Sequence, residues 1–257
     1  MSVPNIPIVN LGNLYVSGLN LTYLTTTTFS VAAGQARDSS DVNDIVLDAA
    51  VTVNVRTNGV NGLDIGTLAA NAIYYVFIVG DSTKYEDPCA LISLSATAPV
   101  LPVGYDMFRR IGAIKGNATA APNTLILPFH QRCFGLDRAM YYMTPIATAI
   151  AAGNALVWTD VILTTFVPTT ATSVIAQSRL TSDAGGTRYA LFAASALVAV
   201  NVLTVYEVIM TSAASVVSIE TLVVPCTNTA GVMTCQYAVS DAAAALAVFV
   251  GGYIDSL

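Results

Sequence analysis

Four carboxylate or amide side chains lie within seven residues and form the best candidate metal site of the sequence: Asp38, Asp41, Asn43 and Asp44. Hard cations such as Ca²⁺ bind oxygen ligands of this kind. The spacing does not match an EF-hand, because no glycine occupies the turn and no bidentate glutamate follows at the required distance. An Asx-rich loop that enters a strand over 44–48 explains the same pattern, and we favour that interpretation.

A second acidic group occupies the stretch 80–88, where Asp81, Glu86 and Asp87 surround Lys84. Two of these acids could form a glycosidase pair, which needs one carboxyl group with a raised pKa. All of them lie in one polar loop, so a solvated hairpin tip is the better interpretation. The aromatic and acidic residues of this region are instead candidate contacts for a receptor or a sugar: Tyr85, Asp87 and Tyr105.

His130 is the only histidine, so any serine or cysteine triad would have to use it. Its surroundings, PFHQRCF, match neither a nucleophile elbow nor an HExxH helix. Walker and GxGxxG phosphate-binding loops are also absent from the sequence. We therefore predict no enzymatic activity and no cofactor.

Trp158, the only tryptophan, could stack on a sugar, but a core position is the favoured prediction.

The chain has four cysteines and no CxxC pair, which argues against a zinc site: Cys89, Cys133, Cys226 and Cys235. The last two flank a hairpin-like turn. Both a disulfide between them and two buried thiols are compatible with that spacing, and buried thiols are favoured.

Two of the ten Lys and Arg residues, Arg109 and Arg110, are adjacent at the start of a strand-like segment. Neighbouring residues of a strand point to opposite faces. One guanidinium group must therefore enter a buried layer or cross a subunit boundary, where it can pair with a carboxylate. Asp106 and the acids of the 38–48 loop are the candidate partners.

Strand patterns dominate the chain. Alternating or continuous apolar segments bounded by turn residues cover 52–57, 73–79, 90–94, 109–115, 123–129, 155–166, 172–180, 188–194, 202–210, 215–224, 232–240 and 245–254. The best helical candidate is 145–153. The fold prediction is all-β, with two antiparallel β-sandwich or jelly-roll-like domains. The charges thin out in the second half, which places the domains at 1–140 and 141–257.

The composition favours assembly over nucleic-acid binding. The 257 residues are 54% hydrophobic and 10% charged, with a net charge of −6, so a nucleic-acid role has little electrostatic support. The most apolar segment, 189–210, is interrupted by Asn201 and Glu207, and we predict no membrane span. The N-terminus lacks the pattern of a secretory signal. Two explanations of the apolar excess remain: burial of surface against identical partners, or a surface of Thr, Ser, Asn and Ala in place of charges.

Two segments of the sequence resemble a known group of proteins: GLDIGTLAANAIYYVFIVGDSTKY (62–85) and PVLPVGYDMFRRIGAI (99–114). They resemble a domain of structural proteins from tailed bacteriophages and related viruses. The second half, from TDVILTTFVPTTATSVIAQ (159–177) onward, is similar to the β-sandwich tips of phage fibre and decoration proteins. The likeness covers residues 28–115 and 155–257. It implies a virion component, commonly trimeric, and carries over no functional residue.

The resulting hypothesis is a non-enzymatic virion structural protein, either a capsid decoration or a head- or tail-fibre-like component. Its expected partners are copies of itself, as a homotrimer, and other particle proteins such as the capsid. A receptor- or carbohydrate-binding module that contacts a host surface glycan is the alternative. A polysaccharide hydrolase is the second alternative, and it would depend on Asp81, Glu86, Asp87 or His130.

Overall fold

The computed structural model describes residues 15–117, 125–182, 186–194, 206–212, 217–240 and 244–257. In these ranges all the regular elements are β-strands, and almost all strand pairs are antiparallel. The predicted all-β, sandwich-like class is therefore confirmed. No helix long and apolar enough to cross a bilayer is found in the described parts of the chain.

The strands are short in the first half and longer in the second. The first half forms β1 Val16–Gly18, β2 Leu21–Thr25, β3 Thr28–Val31, β4 Gly34–Arg37, β5 Asp44–Leu47, β6 Val51–Asn54, β7 Gly62–Leu63, β8 Ile73–Gly80, β9 Cys89–Ser93, β10 Met107–Lys115 and β11 Phe129–Phe134. The second half forms β12 Asp137–Gly153, β13 Thr159–Ile162, β14 Ala171–Ser182, β15 Gly186–Ala194, β16 Tyr206–Ser212, β17 Val217–Pro225, β18 Thr227–Thr229, β19 Val232–Val239 and β20 Ala244–Ser256.

An eight-stranded sheet, β17-β14-β20-β12-β11-β2-β3-β6, takes strands from both halves. A four-stranded sheet, β10-β8-β9-β7, and a three-stranded sheet, β1-β4-β5, belong to the first half. A further sheet, β13-β19-β15-β16, belongs to the second half, with β18 paired to β19. The sheets share one hydrophobic core cluster.

Strand β8 is apolar along its whole length because other layers of the protein cover both of its faces. Seven of its eight residues, from Tyr74 to Gly80, are buried. Beside Gly80, Ile45 of β5 packs at one end of the four-stranded sheet. The opposite layer reaches the same sheet through Tyr253 of β20, whose hydroxyl donates to the Ala113 carbonyl at 2.8 Å. A strand in such a layer has no water-facing side, so it is apolar throughout, as the sequence predicts.

The best helical candidate of the sequence, 145–153, is extended in the structure, where it forms the second half of β12. Strand β12 pairs with β20, and its register shifts between Tyr141 and Ile146. Pro145 lies within that shift. Proline has no N–H to donate to a ladder, and a bulge is where a strand tolerates it.

The predicted boundary at 140/141 falls inside β12. On both sides of this boundary the same strand pairs with β11, from Asp137 to Tyr142, and with β20, from Asp137 to Gly153. One continuous sheet therefore crosses the boundary, and the division into two domains stays a prediction.

Two predicted strands are shorter in the structure. Within 155–166 only Thr159–Ile162 is extended, as β13. Of 123–129, residues 123 and 124 lie outside the described ranges, Ile126 makes an isolated bridge to Gly116, and β11 begins at Phe129. The apolar segment 189–210 falls on β15 and β16, and 195–205 lies outside the described residues.

Candidate functional site

The two adjacent arginines lie on β10, an edge strand of the four-stranded sheet. Arg110 forms an ion pair with Asp255 of β20 through Nη1 and Oδ2. The same guanidinium donates to Thr170 Oγ1 at 3.1 Å and to the Ser256 carbonyl at 2.9 Å. One side chain thus ties the four-stranded sheet to the last strand of the eight-stranded sheet.

Asp255 is fully buried, and only its Oδ2 has a partner, since Oδ1 has no hydrogen bond. Burial raises the pKa of Asp255, because the charged form loses its water, while Arg110 opposes that shift. The charged form of such a buried carboxylate is strongly destabilising unless its cation stays beside it.

Arg109 also enters a buried layer, as the alternation of a strand requires. Burial is the main cause that lowers the pKa of Arg109, and the nearby charges of Asp41 and Asp38 oppose the shift. Asp38 and Asp41 of the 38–48 loop therefore act on Arg109 through their charges, although neither of these two acids forms an ion pair with it.

The third interface candidate, Asp106, does not pair with either arginine among the contacts that the structure describes. Its Oδ1 accepts a 2.8 Å hydrogen bond from the Ser82 backbone amide, and its Oδ2 accepts one from the Ser82 hydroxyl. It fixes the start of the loop after β8. Asp255, and not the predicted Asp106, is the carboxylate that pairs with one of the two adjacent arginines.

The 38–44 loop is closed by its own hydrogen bonds. Asp38 is buried, and its Oδ1 accepts from the backbone amides of Val42 and Asn43, each at 2.9 Å, while Ser40 donates to Oδ2. Burial by itself would raise the pKa of Asp38, but these hydrogen bonds outweigh it and lower the pKa.

The remaining acids of that loop are also engaged or exposed. Asp44 pairs with Arg37 at 2.9 Å, and Asp41 lies on the surface. In the described part of the chain, no three His, Cys, Asp or Glu side chains are grouped so as to hold a metal ion. The favoured interpretation, an Asx-rich loop, accounts for these contacts.

Asp81 organises the loop between β8 and β9. Its carboxylate accepts from the Thr83 amide at 2.8 Å and hydroxyl at 2.7 Å, from the Tyr85 amide at 2.8 Å and from the Glu86 amide at 3.1 Å. The Thr83 side chain is the main cause that lowers the pKa of Asp81 to about 2. A general acid needs the opposite shift, so this geometry fits a structural carboxylate.

We expect Asp81→Ala to open this loop. The hydrogen bonds that hold it are charge-assisted, and Lys84 lies exposed between them. Tryptic cleavage after Lys84 should become roughly tenfold faster, because local opening controls the rate. Asp87→Ala, in the same loop, is the matched control and should leave the rate unchanged. Equal rates for wild type and Asp81→Ala would show that the carboxylate does not hold the loop.

The three candidate receptor contacts lie together at the β8–β9 loop, but only two are free to touch a partner. Tyr85 is 87% exposed, and Asp87 is exposed beside it. Tyr105 is half-buried, and its hydroxyl donates to the Asp87 carbonyl at 2.9 Å. Burial raises the pKa of Tyr105 far above its ordinary value. Tyr105 therefore supports the loop from beneath.

No protein-family model and no curated protein matches the chain. Among solved structures, the chain is similar over 93% of its length to a Bacillus thuringiensis Cry1Da tryptic core variant, at 7% identity and a TM-score of 0.24. It spans 51% of that chain. It is also similar over 94% of its length to a chain of the T13 IBDV viral particle, at 12% identity and a TM-score of 0.24, spanning 67% of that chain.

Likeness at this level supports no statement about function. What is shown of the predicted relationship to viral structural proteins is the β-rich fold. The fibre, the decoration role and the particle location stay predictions.

His130 and Trp158 both lie outside the core. His130 is exposed on β11, opposite Tyr141 of β12. Cys133, three residues on, donates from Sγ to Asn20 Oδ1 at 2.9 Å. Trp158 is half-buried just before β13 and does not belong to the core.

The cysteines are free thiols in the structure. Burial raises the pKa of both Cys226 and Cys235 to about 12. Thiols with such values are protonated at neutral pH and poorly reactive. The interpretation as buried thiols accounts for this pair.

Lys115 is a buried charge that the sequence analysis missed. It is 3% exposed, and its Nζ donates to the carbonyls of Asn71 at 2.8 Å and Thr165 at 2.5 Å. Burial lowers the pKa of Lys115 to about 8. Its position at the end of the apolar run RRIGAIK was the only sequence signal for it.

Proposed function

We propose that the chain is a non-enzymatic structural protein of a virus particle, which assembles with identical copies, as a trimer, into a decoration or fibre-like component. The observation that carries the proposal is the number of large apolar side chains left on the surface of a charge-poor β protein. Such surfaces mark contacts with other proteins. Asp81, one of the acids weighed for catalysis, supports its loop instead, which favours a structural role.

One exposed apolar group lies at an end of the four-stranded sheet. Leu63 of β7 is opposite Ile92 of β9 in parallel register, and Ile65 and Leu94 each follow two residues later, beyond the ends of these strands. They are 62% and 60% exposed. Val100, also exposed, joins them because its amide donates to Asp64 Oδ2 at 3.1 Å.

A second exposed apolar row follows β17, the last strand of the eight-stranded sheet. Ile219 and Val223 point to the same side and are 58% and 42% exposed. No strand of the described chain pairs with the outer edge of β17. An edge strand with apolar side chains invites a partner, and closed symmetry protects such edges.

The native mass is the test of assembly. Light scattering of the purified protein should give about three times the mass of 26.7 kDa, and SDS gels of unheated samples should show a band that boiling removes. A monomer at micromolar concentration would contradict the proposal.

We expect the double substitution Ile219→Asp/Val223→Asp to lower the assembled mass. Burial of these side chains between copies excludes water at roughly 25 cal/mol per Å², and two carboxylates on the same edge would repel. Val42→Asp, at a loop residue that is 68% exposed, is the control and should keep the wild-type mass. If the double variant also keeps that mass, β17 is not the contact strand.

A receptor-binding role is the second candidate, and Tyr85 favours it. An aromatic ring that is 87% exposed beside a carboxylate suits stacking on a sugar. A glycan array with the wild type and Tyr85→Ala tests this role: a signal that Tyr85→Ala abolishes would support it. Arrays without any signal would leave assembly as the function.

A further inference from the structure

Strand β5, Asp44–Leu47, is an edge of the three-stranded sheet, and no strand of the described chain pairs with its outer side. Its inner side pairs with β4, where Ile45 is opposite Ala36 and Leu47 is opposite Gly34. A sheet edge presents a row of free N–H and C=O groups. The outer side of β5 is therefore a place where a further strand can join the sheet.

The hydrogen bonds of β4 identify the outward groups of β5. The Arg37 amide donates at 3.0 Å to a carbonyl just before β1, so the backbone groups of Ala36, one residue earlier, point toward β5. Ala36 is opposite Ile45, which therefore turns its own groups toward β4. The N–H and C=O groups of Asp44 and Val46 then point outwards, and none of the described hydrogen bonds engages them.

A cleft of about 210 Å³ lies against this edge. It is lined by Asp44, Ile45 and Val46 on one side, and by Met107 and the β8–β9 loop on the other. Successive residues of a strand point to opposite faces, so a cleft that touches three in a row lies beside the edge. Val46 is 43% exposed, which leaves the edge open to solvent.

The lining of this cleft is acidic. It includes four carboxylates and one ammonium group: Asp44, Asp81, Glu86, Asp87 and Lys84. Asp44 pairs with Arg37, and Asp81 is held by the amides of its own loop. The contacts of the described chain give the carboxylates of Glu86 and Asp87 neither an ion pair nor a hydrogen bond. These two groups remain available to a cationic partner.

Charge argues against a second copy of this chain as the occupant of the cleft. If two β5 strands paired with each other, the acidic loops of both copies would flank one ladder, and like charges across a ladder are destabilising. The whole chain has 16 acidic and 10 basic residues. A partner rich in lysine or arginine has the complementary sign.

We propose that the cleft beside β5 binds a basic, extended segment of a partner protein, which joins the sheet as an added strand. The backbone of the segment pairs with the outward groups of Asp44 and Val46, and its cationic side chains reach Glu86 and Asp87. In added strands, main-chain hydrogen bonds provide the affinity and side chains provide the specificity. This binding is independent of whether the chain assembles with its own copies.

The first probe is the peptide acetyl-Lys-Val-Lys-Val-Lys-amide, titrated calorimetrically into the wild type at low salt. We expect a dissociation constant on the order of 10 µM. The matched peptide with glutamate in place of lysine should not bind, because its charge has the wrong sign. Amide exchange followed by NMR should become slower at Val46 when the lysine peptide is bound, because the outward N–H gains an acceptor.

Backbone N-methylation separates an added strand from ionic attraction alone. One form of the lysine peptide carries the methyl groups on the valine nitrogens, and the other carries them on the lysine nitrogens. Alternate N–H groups of a strand point to opposite sides. One form should therefore bind like the parent peptide, and the other should bind about tenfold more weakly or worse.

Val46→Pro removes one outward N–H and keeps the pairing with β4, because an edge strand tolerates proline where its N–H faces solvent. It should weaken binding of the lysine peptide by about tenfold or more. Val46→Thr keeps the N–H and is the matched control, which should bind like the wild type. The double variant Glu86→Gln/Asp87→Asn should bind more weakly and respond less to added salt.

Four results would overturn the proposal. The first is no binding of the lysine peptide to the wild type, and the second is equal binding of the two N-methylated forms. The third is full binding to a folded Val46→Pro variant. The fourth is a native mass that falls in Val46→Pro without any peptide, which would assign the edge to a second copy of the chain. If Val46→Pro folds poorly, the N-methylated peptides decide on the wild type alone.

Discussion

Replacement of Arg110 by alanine is expected to lower the free energy of unfolding by about 3–5 kcal/mol. The loss arises because the substitution leaves the carboxylate of Asp255 without its cation. Asp255 is fully buried and already has one oxygen without a partner. Without Arg110 it would keep its charge in a dry layer with no cation. The variant also loses the donors to Thr170 and Ser256. Urea unfolding at neutral pH measures the change.

Two further variants separate this ion pair from simple packing loss. Asp255→Asn in the Arg110→Ala background should recover a large part of the loss, because it removes the buried charge. Arg37→Ala breaks a more exposed ion pair, Arg37–Asp44, whose side chains are 26% and 45% exposed. It should cost less than about 1 kcal/mol. If the double variant is no more stable than Arg110→Ala, the charge of Asp255 is not the cause.

The contribution of Asp255 to the free energy of unfolding should depend on pH with a definite sign. Burial raises the pKa of Asp255 above its ordinary 3.8, so the native state binds this proton more tightly than the unfolded state does. The burial penalty is therefore absent at low pH and appears as the pH rises through the native pKa. In Arg110→Ala the pKa should rise further, and its loss of stability should shrink as the solution is acidified. A loss that stays constant with pH would contradict this mechanism.

Local patterns were enough to predict most of the strands. The continuous apolar run of β8 indicated a strand covered on both faces, and the structure buries it between layers. The alternation of β10 required one arginine to enter a buried layer, and Arg109 does so. These predictions succeed because the period of a strand and the sign of a side chain are local properties.

The same local patterns could not predict which distant residues and strands pair with each other. Arg110 and Asp255 are 145 residues apart in the chain, and Asp106 is merely the nearer acid. The segment 145–153 is rich in alanine, which has a low strand preference, so its extended form depends on β20 lying beside it. Tertiary pairing overrides a weak local preference in such a segment.

Lys115 should make the protein more stable as the pH rises from neutral. Burial lowers its pKa from 10.5 to about 8, so the unfolded chain holds the proton over a range where the native state has lost it. Unfolding then takes up a proton, and its free energy rises with pH in that window. At about 1.36 kcal/mol per pKa unit, the total gain is at most about 3 kcal/mol. The neutral amine still donates to Asn71 and Thr165.

Lys115→Met isolates this effect, because the chain has a single other lysine, Lys84, which is exposed. Between about pH 7.5 and about pH 9.5, the wild type should gain about 2 kcal/mol relative to Lys115→Met, while Lys84→Met should follow the wild type. Buried thiols and tyrosines, whose raised pKa values lower the stability of the native state at alkaline pH, act equally in all three proteins and cancel in the comparison. Parallel curves for wild type and Lys115→Met would mean that Lys115 stays charged in the folded protein, and that its two carbonyl acceptors suffice to hold the charge.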